Sequence, residues 1–187
     1  AYLIEGNQGQ SGWYTSPLTV KLIATDNVAG VSTTRYQINN GAWQTGTQFL
    51  LTGDGLYTLL FYSVDAAGNV ETGFPLQLKL DTAAPAAPTA VETFPSGWSR
   101  VNRFSVQWAN PPDLSGLAGV YYRMDGAPSG NTDGTFSPLT NRLDGLTVPN
   151  EGAHSLFLWL RDNAGNADYH NRAQAPLLKY DATPPTT

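Results

Sequence analysis

The chain has 187 residues and a formal net charge of −5, from 15 acidic and 10 basic side chains scattered without a basic cluster; with nothing to neutralise a phosphate backbone, nucleic acid is excluded as an expected partner. No apolar run approaches the roughly 20 residues of a membrane helix, which argues against membrane insertion, and the absence of cysteine removes disulfides, thiolate metal centres and a cysteine nucleophile. Nineteen Gly, thirteen Pro, only 13% charged residues and no long helix-forming stretch predict an all-β protein rich in turns.

In chain order, Tyr2 to Ile4 can supply a first strand, and Gly12-Trp13 precedes Leu18 to Leu22, which alternates with the period of a half-buried strand. Gly30-Val31 opens the next strand, which carries Tyr36 and ends at the turn Asn39-Asn40-Gly41. An aromatic-rich strand, Gly55 to Val64, runs into Asp65-Ala66-Ala67-Gly68-Asn69, and Leu78 to Pro85 reads as an extended exit strand. Proline then fixes φ and restricts its predecessor, so Ala83 to Thr89 is expected to be an extended, fairly stiff Pro/Ala-rich linker.

The landmarks then recur. Gly97-Trp98, the strand Phe104 to Trp108, Gly119-Val120, Tyr122, the turn Asp125-Gly126, the strand Gly152 to Arg161, Asp162-Asn163-Ala164-Gly165-Asn166 and the exit Leu178 to Pro185 repeat the first half in order. The repeat predicts two modules, 1–85 and 86–187, the second lengthened by a turn-rich insertion at about 126–149. Because Asp181 to Thr187 copies the first exit, the parent protein is expected to continue into a further module.

Four motifs of the first half, Gly-Trp-Tyr-x-Ser-Pro from Gly12, Ala-Thr-Asp-Asn-x-x-Gly-Val from Ala24, Tyr-x-Ile-Asn-x-Gly-x-Trp from Tyr36 and Asp-x-Ala-Gly-Asn-x-Glu from Asp65, resemble bacterial immunoglobulin-like repeat domains. The second half keeps Gly-Trp, Gly-Val-Tyr-Tyr-Arg-Met-Asp-Gly, Arg-Asp-Asn-Ala-Gly-Asn and the exit strand, but lacks the tryptophan after the hairpin. The resemblance implies two tandem immunoglobulin-like β-sandwiches in an extracellular or cell-surface protein. It implies a stalk, spacer or adhesive element whose partners are neighbouring modules of the same chain and a surface glycan or protein, or else a carbohydrate-binding accessory beside a secreted hydrolase. A shared fold alone carries no mechanism.

The residues offer little catalytic chemistry. His154 and His170 sit in no Gly-x-Ser-x-Gly or His-Glu-x-x-His setting and read as surface histidines, so no catalytic residue and no enzyme activity are expected. The Asp-x-Ala-Gly-Asn turns have a structural explanation, Asp capping the turn while Gly and Asn accept positive φ. Their functional alternative is Ca²⁺: in an immunoglobulin-like sandwich the B–C and F–G loops share one pole, so Asp26 would approach Asp65, and Asp113 would approach Asp162, as oxygen ligands. No other cofactor is implied. Among the tryptophans, Trp108 reads as core, Trp13 and Trp98 as plugs at the sandwich ends, and Trp43 as a cover on the sheet. Trp159 points away from Leu156, Leu158 and Leu160, and is the candidate ligand platform unless the inserted turns bury it. A Lys–Asn cross-link would need Lys21 buried beside an acid.

Overall fold

A computed structural model describes residues 1–138 and 141–187, whose regular structure is all strand apart from one short 3₁₀ turn. Positions 139 and 140, inside the expected insertion, lie outside the described residues. The chain divides into two compact units, Ala1–Ala83 and Ala84–Thr187.

The first unit contains β1 (Tyr2–Glu5), β2 (Leu18–Leu22), β3 (Val31–Ile38), β4 (Gln44–Thr45), β5 (Gln48–Leu51), β6 (Gly55–Asp65) and β7 (Phe74–Leu80). They form two antiparallel sheets, β1-β2-β5 and β4-β3-β6-β7. The alternation in β2 puts Leu18, Val20 and Leu22 inward, where they join Leu51 of the same sheet and meet Tyr36, Leu59, Phe61, Leu78 and Leu80 of the facing one. Fully burying each such side chain is worth about 1.5–3 kcal/mol before the entropy of ordering it is counted. The β3–β4 turn forms where the sequence places it: Asn39 and Asn40 both have positive φ (49° and 57°), the conformation that lets a tight turn follow the twist of its strands.

The second unit repeats this plan with β8 (Thr89–Phe94), β9 (Trp98–Ser99), β10 (Phe104–Ala109), β11 (Leu117–Met124), β12 (Thr135–Ser137), β13 (Arg142–Leu146), β14 (Gly152–His154), β15 (Leu156–Asp162), a single 3₁₀ turn at Tyr169–Asn171, β16 (Ala173–Gln174) and β17 (Leu178–Tyr180). The sheets β13-β10-β8 and β12-β11-β15-β16 correspond strand for strand to β5-β2-β1 and β4-β3-β6-β7. Phe104, Val106, Trp108, Val120, Leu156, Leu158, Leu160 and Leu178 lead the core between them. One difference is local. The strands that are continuous as β6 and β7 in the first unit are each broken in the second, and their outer ends, β14 and β17, join β9 in a separate three-stranded sheet.

Three-stranded and four-stranded antiparallel sheets facing each other, with the chain crossing between them, are the arrangement of an immunoglobulin-like sandwich. Each unit has it.

Candidate functional site

In each unit the two loops that carry the candidate acids meet at one pole. In the first unit the Ala66 amide donates to the Gly30 carbonyl at 3.0 Å, bringing the β2–β3 and β6–β7 loops together. In the second, the Asn163 amide donates to Gly116 O at 2.8 Å and its side chain to Ser115 O at 2.9 Å. Asp26 and Asp65 accordingly line one open groove of about 480 Å³ with Ile23, Val31, Val70 and Glu71. A carboxylate oxygen of Asp113 lies within 4.8 Å of one of Asp162.

These carboxylates also have structural work. Oδ1 of Asp26 accepts the backbone N–H groups of Val28, Ala29 and Gly30 at 2.7–3.0 Å. Those donors, Val28 first, hold its carboxyl below the usual aspartate range against the opposing push of the Asp65 charge. Asp65 accepts from the Asn69 amide nitrogen and side chain at 2.8 and 2.7 Å, and the side-chain contact is the main cause of its lowered pKa. Asp162 repeats the cap, accepting from the Gly165 and Asn166 amides at 2.6 and 2.7 Å and from the Asn166 side chain at 2.8 Å. Gly68 and Gly165 have positive φ, 88° and 104°, which the turn requires. Asp113 accepts from the Ser115 hydroxyl at 3.2 Å.

The aromatics are placed less uniformly. Trp13 is only 8% exposed, with the Lys79 ammonium 5.8 Å from its ring centre. Trp98 stands opposite Lys179 in the equivalent register, yet it is 61% exposed and plugs nothing. The cause is chain length. Seven residues, Gly6 to Gly12, separate β1 from Trp13 and fold back along it, with Gly9 N donating to Trp13 O and Trp13 N to Gln10 O, both at 2.9 Å. Only three, Pro95 to Gly97, separate β8 from Trp98, too few to return.

Trp159 offers no ligand platform either. It does face away from the leucine core, but its exposure is 0%. The ring stacks on Tyr121 at 5.5 Å, its Nε1 donates to the Asn131 carbonyl at 2.8 Å, and Gly134 packs against it so closely that a Cβ there would stand 2.7 Å from the indole. The insertion lies over this face and is held by the Asp133–Arg123 ion pair and by Ser129, which donates to Asp133 at 2.7 and 2.8 Å. Trp43, in contrast, stays 41% exposed and meets Tyr62 edge-on at 4.9 Å and 68°. It covers part of the sheet, as its position after the hairpin predicts.

His154 is not the surface residue the sequence suggests. It is 7% exposed at the break between β14 and β15, with Nδ1 2.6 Å from Asp125 Oδ2 and Nε2 3.0 Å from the Asn150 carbonyl. Asp125 also accepts from the Ser155 amide at 3.2 Å, and its own amide donates to Ser155 O at 3.0 Å, pinning the β11–β12 turn to the strand break. His170 is exposed and pairs with Asp168 at 2.8 Å. Lys21 is half-buried and pairs with Glu5 at 2.6 Å; it is not a buried cross-linking lysine.

No family model matches the chain, and no curated protein matches it. Among solved structures it is similar to the fibronectin(III)-like modules of Clostridium thermocellum CbhA, at 12% identity over 96% of this chain and 95% of that one, with a TM-score of 0.45. It is also similar to a titin segment, at 12% identity over 96% and 66% with a TM-score of 0.48, and to an intimin segment, at 10% identity over 97% and 100% with a TM-score of 0.39. The assignment of both units as immunoglobulin-like sandwiches rests on their strand order. No helix among the described residues is long and apolar enough to cross a membrane.

Proposed function

We propose that the chain is a non-catalytic structural element of a larger exported bacterial protein, a pair of modules that spaces or projects other parts at the cell surface or outside the cell. The observation that carries this reading is what the two units repeat. They share strand order, the Trp–Lys register at the module start and the carboxylate-capped Asp-x-Ala-Gly-Asn turn. All of these are scaffold features. The aromatic surfaces, where a ligand would be read, differ between units: Trp43 is open in the first, and Trp159 is closed over in the second. Repetition of frame without repetition of surface suits a spacer, whose contribution is length and stiffness.

The experiment is replacement. In the full-length parent protein, these 187 residues are exchanged for two unrelated sandwich modules of similar length. A spacer predicts that surface display and the activity of the remaining domains survive the exchange but fall when the pair is deleted. Loss of activity on exchange as well as on deletion contradicts it.

A further inference from the structure

The outer face of β4-β3-β6-β7 carries a combination that folding does not explain. Alternation along the strands turns Arg35 and Gln37 of β3, Leu60 and Tyr62 of β6, and Gln77 and Lys79 of β7 away from the core. Arg35 is the register partner of Tyr62, so the two side chains stand side by side, and Trp43 adjoins Tyr62 on the same face. The first unit contains six acidic residues (Glu5, Asp26, Asp54, Asp65, Glu71 and Asp81) and three basic ones (Lys21, Arg35 and Lys79). The charged residues on the outward positions of these strands are Arg35 and Lys79 alone, both cations. Arg35 is exposed, and neither its guanidinium nor the Tyr62 hydroxyl has a hydrogen-bond or ion-pair partner among the described residues.

We propose that Arg35, Tyr62 and Trp43 form a binding site for a carboxylated polysaccharide. A uronate residue carries the three features this surface can use. Its ring presents a face of C–H groups to the exposed indole, its hydroxyls reach the Tyr62 hydroxyl and the free oxygen of the Gln37 amide, whose nitrogen is occupied by Gly41 O at 2.6 Å, and its carboxylate matches the planar fork of Arg35. The edge-to-face angle of Trp43 and Tyr62 makes a corner, which suits a single chain and not a flat polymer sheet. Arg35 and Tyr62 lie mid-sheet, where β3 and β6 are hydrogen-bonded to neighbours on both sides, and the edge strand that follows Trp43, β4, is only two residues long. An extended peptide held by strand addition therefore has little edge to pair with here, and the glycan is the better occupant. The inference goes beyond the spacer role and does not depend on it.

The test is calorimetric titration of the intact chain with oligogalacturonate, the same oligomer methyl-esterified, and polyglutamate as a charge-only control. The expected result is binding of oligogalacturonate that weakens about tenfold or more in Arg35→Gln and in Trp43→Ala, since a charge-assisted hydrogen bond or a buried ring face is worth at least that factor. Esterification should weaken it similarly, and Arg35→Lys should restore only part of the loss. Arg35 and Trp43 are exposed, so unchanged melting of each variant shows that the fold is intact. Absence of binding, equal binding by Arg35→Gln, or equal binding of polyglutamate overturns the proposal, the last by showing attraction of charge without recognition of sugar.

Discussion

Trp13 and Trp98 occupy equivalent places beside equivalent lysines, but only one is buried, and the difference should appear in stability. Trp13→Ala is expected to cost about 3–5 kcal/mol, as for other large-to-small aromatic changes in packed sites. Trp98→Ala should change stability by no more than about 0.5 kcal/mol, and chemical denaturation of each variant measures both. The turn carboxylates make a second expectation. Asp26 and Asp65 have pKa values lowered from 3.8 by the donors that cap them, Val28 and the Asn69 side chain first, so each stabilises the fold above the unfolded value. That contribution is lost as the pH falls through the lowered folded values. Melting temperature should therefore drop on acidification below about pH 4, and Asp65→Asn should flatten the drop; an unchanged slope would show that the cap is not coupled to stability. Asp162, fully buried and accepting three hydrogen bonds, is expected to matter as a cap under any ionic condition. Asp162→Ala should lower the melting temperature equally in millimolar Ca²⁺ and in chelator, and a loss confined to the Ca²⁺ sample would contradict the capping account. At this scale the sequence was legible where a role is local and illegible where it is not. Asp65 caps a residue four positions away, whereas His154 is buried through Asp125, twenty-nine positions away.

Strands and turns were the most legible elements, because burial on one face imposes a period of two and tight turns impose Asn, Asp or Gly. Leu18 to Leu22, Phe104 to Trp108 and the Asn39-Asn40 turn lie as their residues predict. The break that separates β14 from β15 and β16 from β17 was not legible, since Gly152 to Arg161 reads as one aromatic strand and nothing in its alternation marks Ser155 as the place where it changes sheets. The inserted segment was visible as a cluster of turn residues, but its function as a lid on Trp159 depends on contacts with a strand more than twenty positions away. Gly134 is the tightest point of that lid. A methyl group there meets both the indole and the Tyr122 carbonyl at 2.7 Å, and backbone cannot yield as a flexible side chain can. Gly134→Ala is therefore expected to destabilise the second unit by about 1–3 kcal/mol and to increase the solvent exposure of Trp159, read as a red shift and greater quenching of its fluorescence. Unchanged stability and fluorescence would show that the lid does not pack as tightly as described.

At the scale of the whole molecule, this chain is one design used twice. Each unit has its own facing sheets and its own set of buried side chains, nine in the first cluster and twelve in the second, and a domain of about 85–100 residues buries enough surface to be marginally stable alone. The most direct measurement is to produce residues 1–83 and 84–187 separately and follow each by calorimetry and amide hydrogen exchange beside the intact chain. Each half is expected to show a cooperative transition and a protected set of core amides, with Leu59 and Phe61 protected in one and Leu158 and Leu160 in the other. Two halves that are both unfolded alone, while the intact chain is folded, would contradict this.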